Sequence, residues 1–163
     1  MRTKHYNRAC VRNLGDKVKF LNGLQPLALL ILRVALALIF IYHGYPKLVH
    51  PNAGMREFFT QHGLPAYFVS VSGILESFGA LLLVVGLFTR PAALLLAGEM
   101  AVAIWKVHSS RGLLVVNDYE FPLAVAAACF ALDTVGAGLL SIDHLVFGAA
   151  GGKKRRTAKN SKD

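Results

Sequence analysis

The sequence predicts an all-α fold: a transmembrane four-helix antiparallel bundle with both termini in the cytoplasm. Three observations carry this. Hydrophobic residues make up 55% of the 163 residues and charged residues 17%, whereas soluble domains average about 45–50% and about 25%. Four apolar stretches are long enough for a hydrocarbon core of ~30 Å, which needs about 20 helical residues. The basic residues behind the net charge of +9 gather at the two ends, as membrane topology signals do and the residues of a nucleic-acid groove do not. The expected partner is therefore a lipid bilayer and not a nucleic acid.

Residues 1–24 form a basic segment carrying Arg2, Lys4, Arg8, Arg12, Lys17 and Lys19. Val11, Leu14, Val18 and Leu21 recur among them at helical spacing, which fits either a short amphipathic helix on the membrane surface or a frayed tail. The segment has no apolar core of the kind a cleavable signal peptide requires. Residues 25–147 form the membrane domain, with spans at about 26–44, 66–88, 91–108 and 121–142. Each opens near a proline (Pro26, Pro65, Pro91, Pro122), which is tolerated in a first helical turn because its missing N–H would be unpaired there, so the prolines are read as helix starts. Residues 148–163 form a basic tail, expected to be disordered and drawn to anionic headgroups. With both ends cytoplasmic, thirteen Lys and Arg lie on that side and four on the other, as the positive-inside rule demands of an inner, or cell, membrane protein. The turn at 88–91 is then cytoplasmic, and the loops 45–65 and 109–120 face outward. Cys10 and Cys129 are too far apart in sequence and too few to suggest a disulfide framework or a cysteine metal site.

Ionisable side chains inside spans are costly, and each is a functional candidate or a paired structural group. There are four, one per span. At ~1.5 Å per residue, Arg33 lies ~10 Å and Glu99 ~12 Å from the inner edge, while Glu76 lies ~15 Å and Asp133 ~18 Å from the outer edge. Similar depths imply a shared buried polar core of Arg33, Glu76, Glu99 and Asp133. It serves either as a lock on helix register or as a polar-ligand site, for example one holding a quinone oxygen. Ser72, Gly73, Gly79 and Ala80 share a face with Glu76, and small faces let helices approach closely in lipid. At the outer mouth His43, Lys47, Lys106, His108, Asn117, Asp118 and Glu120 are expected to converge as ligand candidates. His43, His108 and Glu120 lack any diagnostic metal-ligand spacing, so no metal is expected. Motifs for zinc proteases, nucleotide binding and serine hydrolases are absent from the sequence, and no catalytic residue can be named.

The order of several short motifs resembles the DoxX family of small four-helix membrane proteins. They are Leu32-Arg33 through Phe40, His43-Gly44, Lys47-Leu48, Gly63-Leu64-Pro65, Glu76 with Gly79, and Gly86-Leu87-Phe88-Thr89-Arg90. Further along come Met100 to Ala103, His108, Glu120-Phe121-Pro122, Gly136, Gly138 and Ser141-Ile142-Asp143. The resemblance covers about residues 27–147 and does not extend to Glu99 or Asp133. It implies a membrane subunit of, or anchor for, a quinone-linked or sulfur-stress oxidoreductase complex, more an accessory than a catalytic component. A quinone is the cofactor class it suggests, and a redox protein or a second copy of the chain the partner. The rival expectations are a small oligomeric proton-coupled transporter and a cofactor-free scaffold or assembly factor.

Overall fold

A computed structural model of the chain describes residues 3–108 and 116–148, with side chains for residues 21–107 and 116–146. The expected basic tail, Arg111 and the side chain of His108 lie outside the described residues. The described chain is all-α. Helix α1 runs over Thr3–Val49, α2 over Ala53–Gln61, α3 over Phe68–Val85, α4 over Thr89–Ala103 and α5 over Glu120–Val135. A π-helical turn, Ile104–His108, prolongs α4. Leu21–Val49 and Phe68–Val85 are long and apolar enough to cross a membrane.

Three boundaries differ from the sequence expectation. Pro26 is not a helix start, because α1 continues through it from Thr3. A proline inside a helix costs one backbone hydrogen bond, and here the carbonyl left without its donor is that of Asn22, an exposed residue. The segment 45–65, expected as an outward loop, is not a simple loop. It holds the last turn of α1 and all of α2, started by Asn52, whose side chain accepts from the N–H of Met55. The fourth span ends at Val135 and not at 142, since Gly136 takes a positive φ of 88° and turns the chain. The other prolines fit their reading: Pro91 and Pro122 occupy first turns, and Pro65 precedes α3.

One apolar core joins α1 (Leu36, Ala37, Phe40), α3 (Ala80, Leu83), α4 (Ala92, Ala93, Leu96) and α5 (Val125, Cys129, Leu132). The outward faces are equally apolar. Leu38 is 64% exposed, Phe78 59%, Leu95 58% and Phe130 58%. Each of these helices thus leaves several large apolar side chains uncovered, which suits a lipid surround and not water. The close approach of α1 and α3 depends on glycine at Gly44 and Gly73. A Cβ on Gly44 would lie 2.5 Å from Glu76 Cβ, and one on Gly73 2.8 Å from the Leu48 nitrogen. Residue 44 thus faces 76–77, residues 47–48 face 73, and Arg33 faces Gly86.

Candidate functional site

Two polar clusters sit at opposite ends of this core, and the shared cluster of four ionisable groups is divided between them. The first belongs to the Arg33 end. Arg33 is fully buried and its Nη2 donates to the Leu140 carbonyl, while Nε and Nη1 have no partner among the described residues. The segment after Gly136 folds back to supply that carbonyl. It also brings in Asp143, whose carboxylate accepts from the N–H groups of Phe88 (2.8 Å) and Thr89 (2.9 Å) and faces the Arg33 charge. The Asp143 N–H in turn donates to the Gly86 carbonyl (2.8 Å). Asp143 therefore caps the start of α4, satisfying N–H groups that the helix itself cannot. Asp133 lies in the last turn of α5, at the end where Gly136 meets Arg90. It does not join Glu76 and Glu99.

The second cluster holds those two carboxylates. Lys47 Nζ binds both oxygens of Glu76, at 2.9 and 2.8 Å, and reaches Ser72 Oγ at 3.1 Å. Ser72 Oγ donates onward to Glu99 Oε1 at 2.5 Å. Glu99 Oε2 is buried with no hydrogen-bond partner among the described residues. The geometry follows from the helix contacts. Gly73 lets the backbone of Lys47 touch α3, Glu76 lies one turn deeper on the same face, and the flexible lysine stem bridges that turn. Glu99 is one turn beyond Leu96, which packs against Gly79, so α4 brings its carboxylate to the same level.

This cluster forms the polar wall of a cavity of about 640 Å³ between α2, α3 and α4. Its apolar wall is built from Met55, Phe58, Phe59, Phe68, Met100 and Val107; Lys47, Glu76 and Glu99 supply charge, Ser72 a hydroxyl, and Asn52 and His62 are the further polar lining. The volume lies within the ~300–1,000 Å³ typical of small-molecule sites, and one apolar chamber with a few convergent polar groups is their usual form. A second cavity of about 570 Å³ lies at the opposite end, between α1 around Pro26, the start of α4 and the segment after α5.

Of the outer-mouth candidates, Lys47 reaches the first cavity. His43 is exposed and packs its ring near Phe121. Lys106 lies over the Trp105 ring, 5.3 Å from its centre. Asn117 and Glu120 are exposed, away from the cavity lining. Sequence reasoning missed Ser72 as a link between charges and α2 as a wall. Asn52 followed by a nine-residue amphipathic run with Phe58-Phe59 was the available signal for α2.

The DoxX family model matches residues 28–109, which include all four residues of the polar wall. An uncharacterized Haemophilus influenzae protein is 33% identical over 127 residues, 76% of this chain and 93% of that relative. Inner membrane protein YphA of Escherichia coli is 30% identical over 129 residues, 74% of this chain and 91% of its own length. A Bacillus subtilis protein, CatD, which carries a provisional oxidoreductase name, is 30% identical over 118 residues, 72% of this chain and 86% of its own. No solved structure matches. Apolar outer faces, buried charge and these relatives together define a helical membrane protein. It belongs to the DoxX family.

Proposed function

We propose that this chain is a multi-pass inner-membrane subunit that anchors or serves a quinone-linked redox complex, and that the cavity between α2, α3 and α4 holds the quinone head. In this reading α1, α3, α4 and α5 cross the bilayer as an antiparallel four-helix bundle with both termini in the cytoplasm. The observation that carries it is the form of the cavity: apolar around most of its wall, with Lys47, Ser72, Glu76 and Glu99 joined in one polar patch and only Asn52 and His62 polar elsewhere. A molecule with a long apolar body and a hydrogen-bonding ring matches that division. The oxidoreductase name of the Bacillus subtilis relative supports a redox setting. The transport alternative has less support, because the polar side chains stop at Glu76 and Ser77, and the packed Phe40, Ala80 and Leu83 separate them from Arg33. A carrier would need a path through that plug.

Purification from native membranes in mild detergent, with lipid extraction and identification of bound proteins, tests the proposal. A quinone retained near one per chain, together with a redox protein, is the expected result. A preparation with neither overturns it.

A further inference from the structure

The direction of the hydrogen bonds in the polar wall assigns different roles to the two glutamates. A lysine ammonium has three donors and no acceptor. Lys47 therefore spends its hydrogens on Glu76 and on the Ser72 oxygen. Ser72 Oγ, already accepting from Lys47, has its own hydrogen free for Glu99 Oε1. Glu76 has both oxygens engaged by the ammonium, and Glu99 Oε1 is committed as an acceptor. The one oxygen of the pair left without a partner among the described residues is Glu99 Oε2. Oε2 thus keeps its full hydrogen-bonding capacity, for a proton of its own or for a donor, although protein atoms cover it as the carboxyl now lies. A buried polar atom without a partner costs about 1–3 kcal/mol, and an oxygen on a cavity occupant would relieve that cost.

We infer that Glu99 is the ligand-contacting residue of the cavity, that its carboxyl turns Oε2 from the protein wall onto a lipophilic molecule whose head oxygen is a hydroxyl or a carbonyl, and that Lys47 and Ser72 are positioning residues for it. The inference rests on the ligand-binding reading above and specifies its chemistry. One proton lies between the two oxygens in either case. A hydroxyl head donates to ionised Glu99, and a carbonyl head accepts from protonated Glu99. Glutamate thus accepts from a quinol and donates to a quinone, whereas an amide only donates there, to the carbonyl or to the hydroxyl oxygen, and the quinol exchanges a charge-assisted hydrogen bond for a neutral one. In Glu99→Gln the amide oxygen takes the Ser72 hydrogen bond and the NH₂ group occupies the Oε2 position, where it only donates.

The test uses the full chain in nanodiscs, with decylubiquinone and its quinol as probes and binding read by calorimetry. The wild type is expected to bind both forms. Glu99→Gln is expected to keep the quinone within about threefold and to weaken the quinol by about fivefold to tenfold, the difference between a charge-assisted hydrogen bond and a neutral one. Glu99→Leu weakens both. If Glu99→Gln does not fold, Glu99→Asp provides the comparison: the carboxyl is withdrawn by one methylene, both forms weaken by about tenfold, and their ratio is unchanged. Equal affinities of the wild type and Glu99→Gln for both forms, or an unweakened Glu99→Asp, overturn the inference and leave the proposed function standing. Failure of the wild type to bind either form overturns both.

Discussion

Lys47 lies two residues from the end of α1, where a lysine in lipid normally extends its ammonium outward to the headgroups. It turns inward instead, with its side chain 22% exposed and that of Glu76 3% exposed. Removing one member of such a pair strands the other charge, which costs far more than replacing both by apolar groups. Lys47→Met is expected to destabilise the protein by about 3 kcal/mol. The double variant Lys47→Met with Glu76→Leu should lose less than the sum of its parts. Thermal unfolding in detergent checks this, and strict additivity would contradict it. Gly86 is the second sensitive residue. It has a φ of +70°, and a Cβ there would overlap Arg33 Nη1, so Gly86→Ala combines backbone strain with overpacking and should cost about 2–4 kcal/mol. Gly98 has open space around its Cβ position, and Gly98→Ala in the same assay should be neutral or stabilising by up to about 1 kcal/mol. Similar losses in the two variants would contradict the close packing of Arg33.

At the scale of elements, the end of the chain's described part and α2 each do something that hydropathy does not reveal. The segment after α5 is apolar enough to prolong a span on paper. Gly136 breaks it, and Asp143 returns to cap α4 from across the structure. Asp143→Asn removes the charge facing Arg33 and one of two acceptors, for an expected loss of about 1–2 kcal/mol. Hydrogen exchange should show this first at the amides of Phe88 and Thr89, and unchanged protection there would contradict the capping role. In α2, Asn52→Ala removes the cap on Met55 and should loosen 53–61 by about 1 kcal/mol without affecting α3. The apolar parts of α1 and α3 could be read from composition, because an apolar run of that length has few other homes, but the start of α1 at Thr3 could not. The place of Arg33 could not. Its depth was reckoned from Pro26 as a helix start, and Pro26 marks no boundary in α1. Gly86, which Arg33 touches, lies ten residues along α3 from Glu76, or ~15 Å, so the two charges never meet. Glu76 and Glu99 lie at one level, joined through Ser72, and their cation is Lys47, which the charge count places on the outer surface.

For the molecule as a whole, an apolar, lipid-facing exterior surrounds a chamber whose charged wall is assembled from α1, α3 and α4. The proposed topology predicts that tags at either terminus are reached by membrane-impermeant reagents only after the cell membrane is opened, and that a probe on α2 is labelled in intact cells; the reverse pattern would invert the bundle. The central claim is that the chamber between α2, α3 and α4 is a ligand site. Photoaffinity labelling of the full chain in membranes with an azidoquinone, followed by peptide mapping, tests it most directly. Labelling at Phe58, Phe59, Met100 or Val107 that excess unmodified quinone suppresses is the expected result. Labelling that ignores the competitor, or that falls at the opposite end around Leu29 and Phe88, would contradict it.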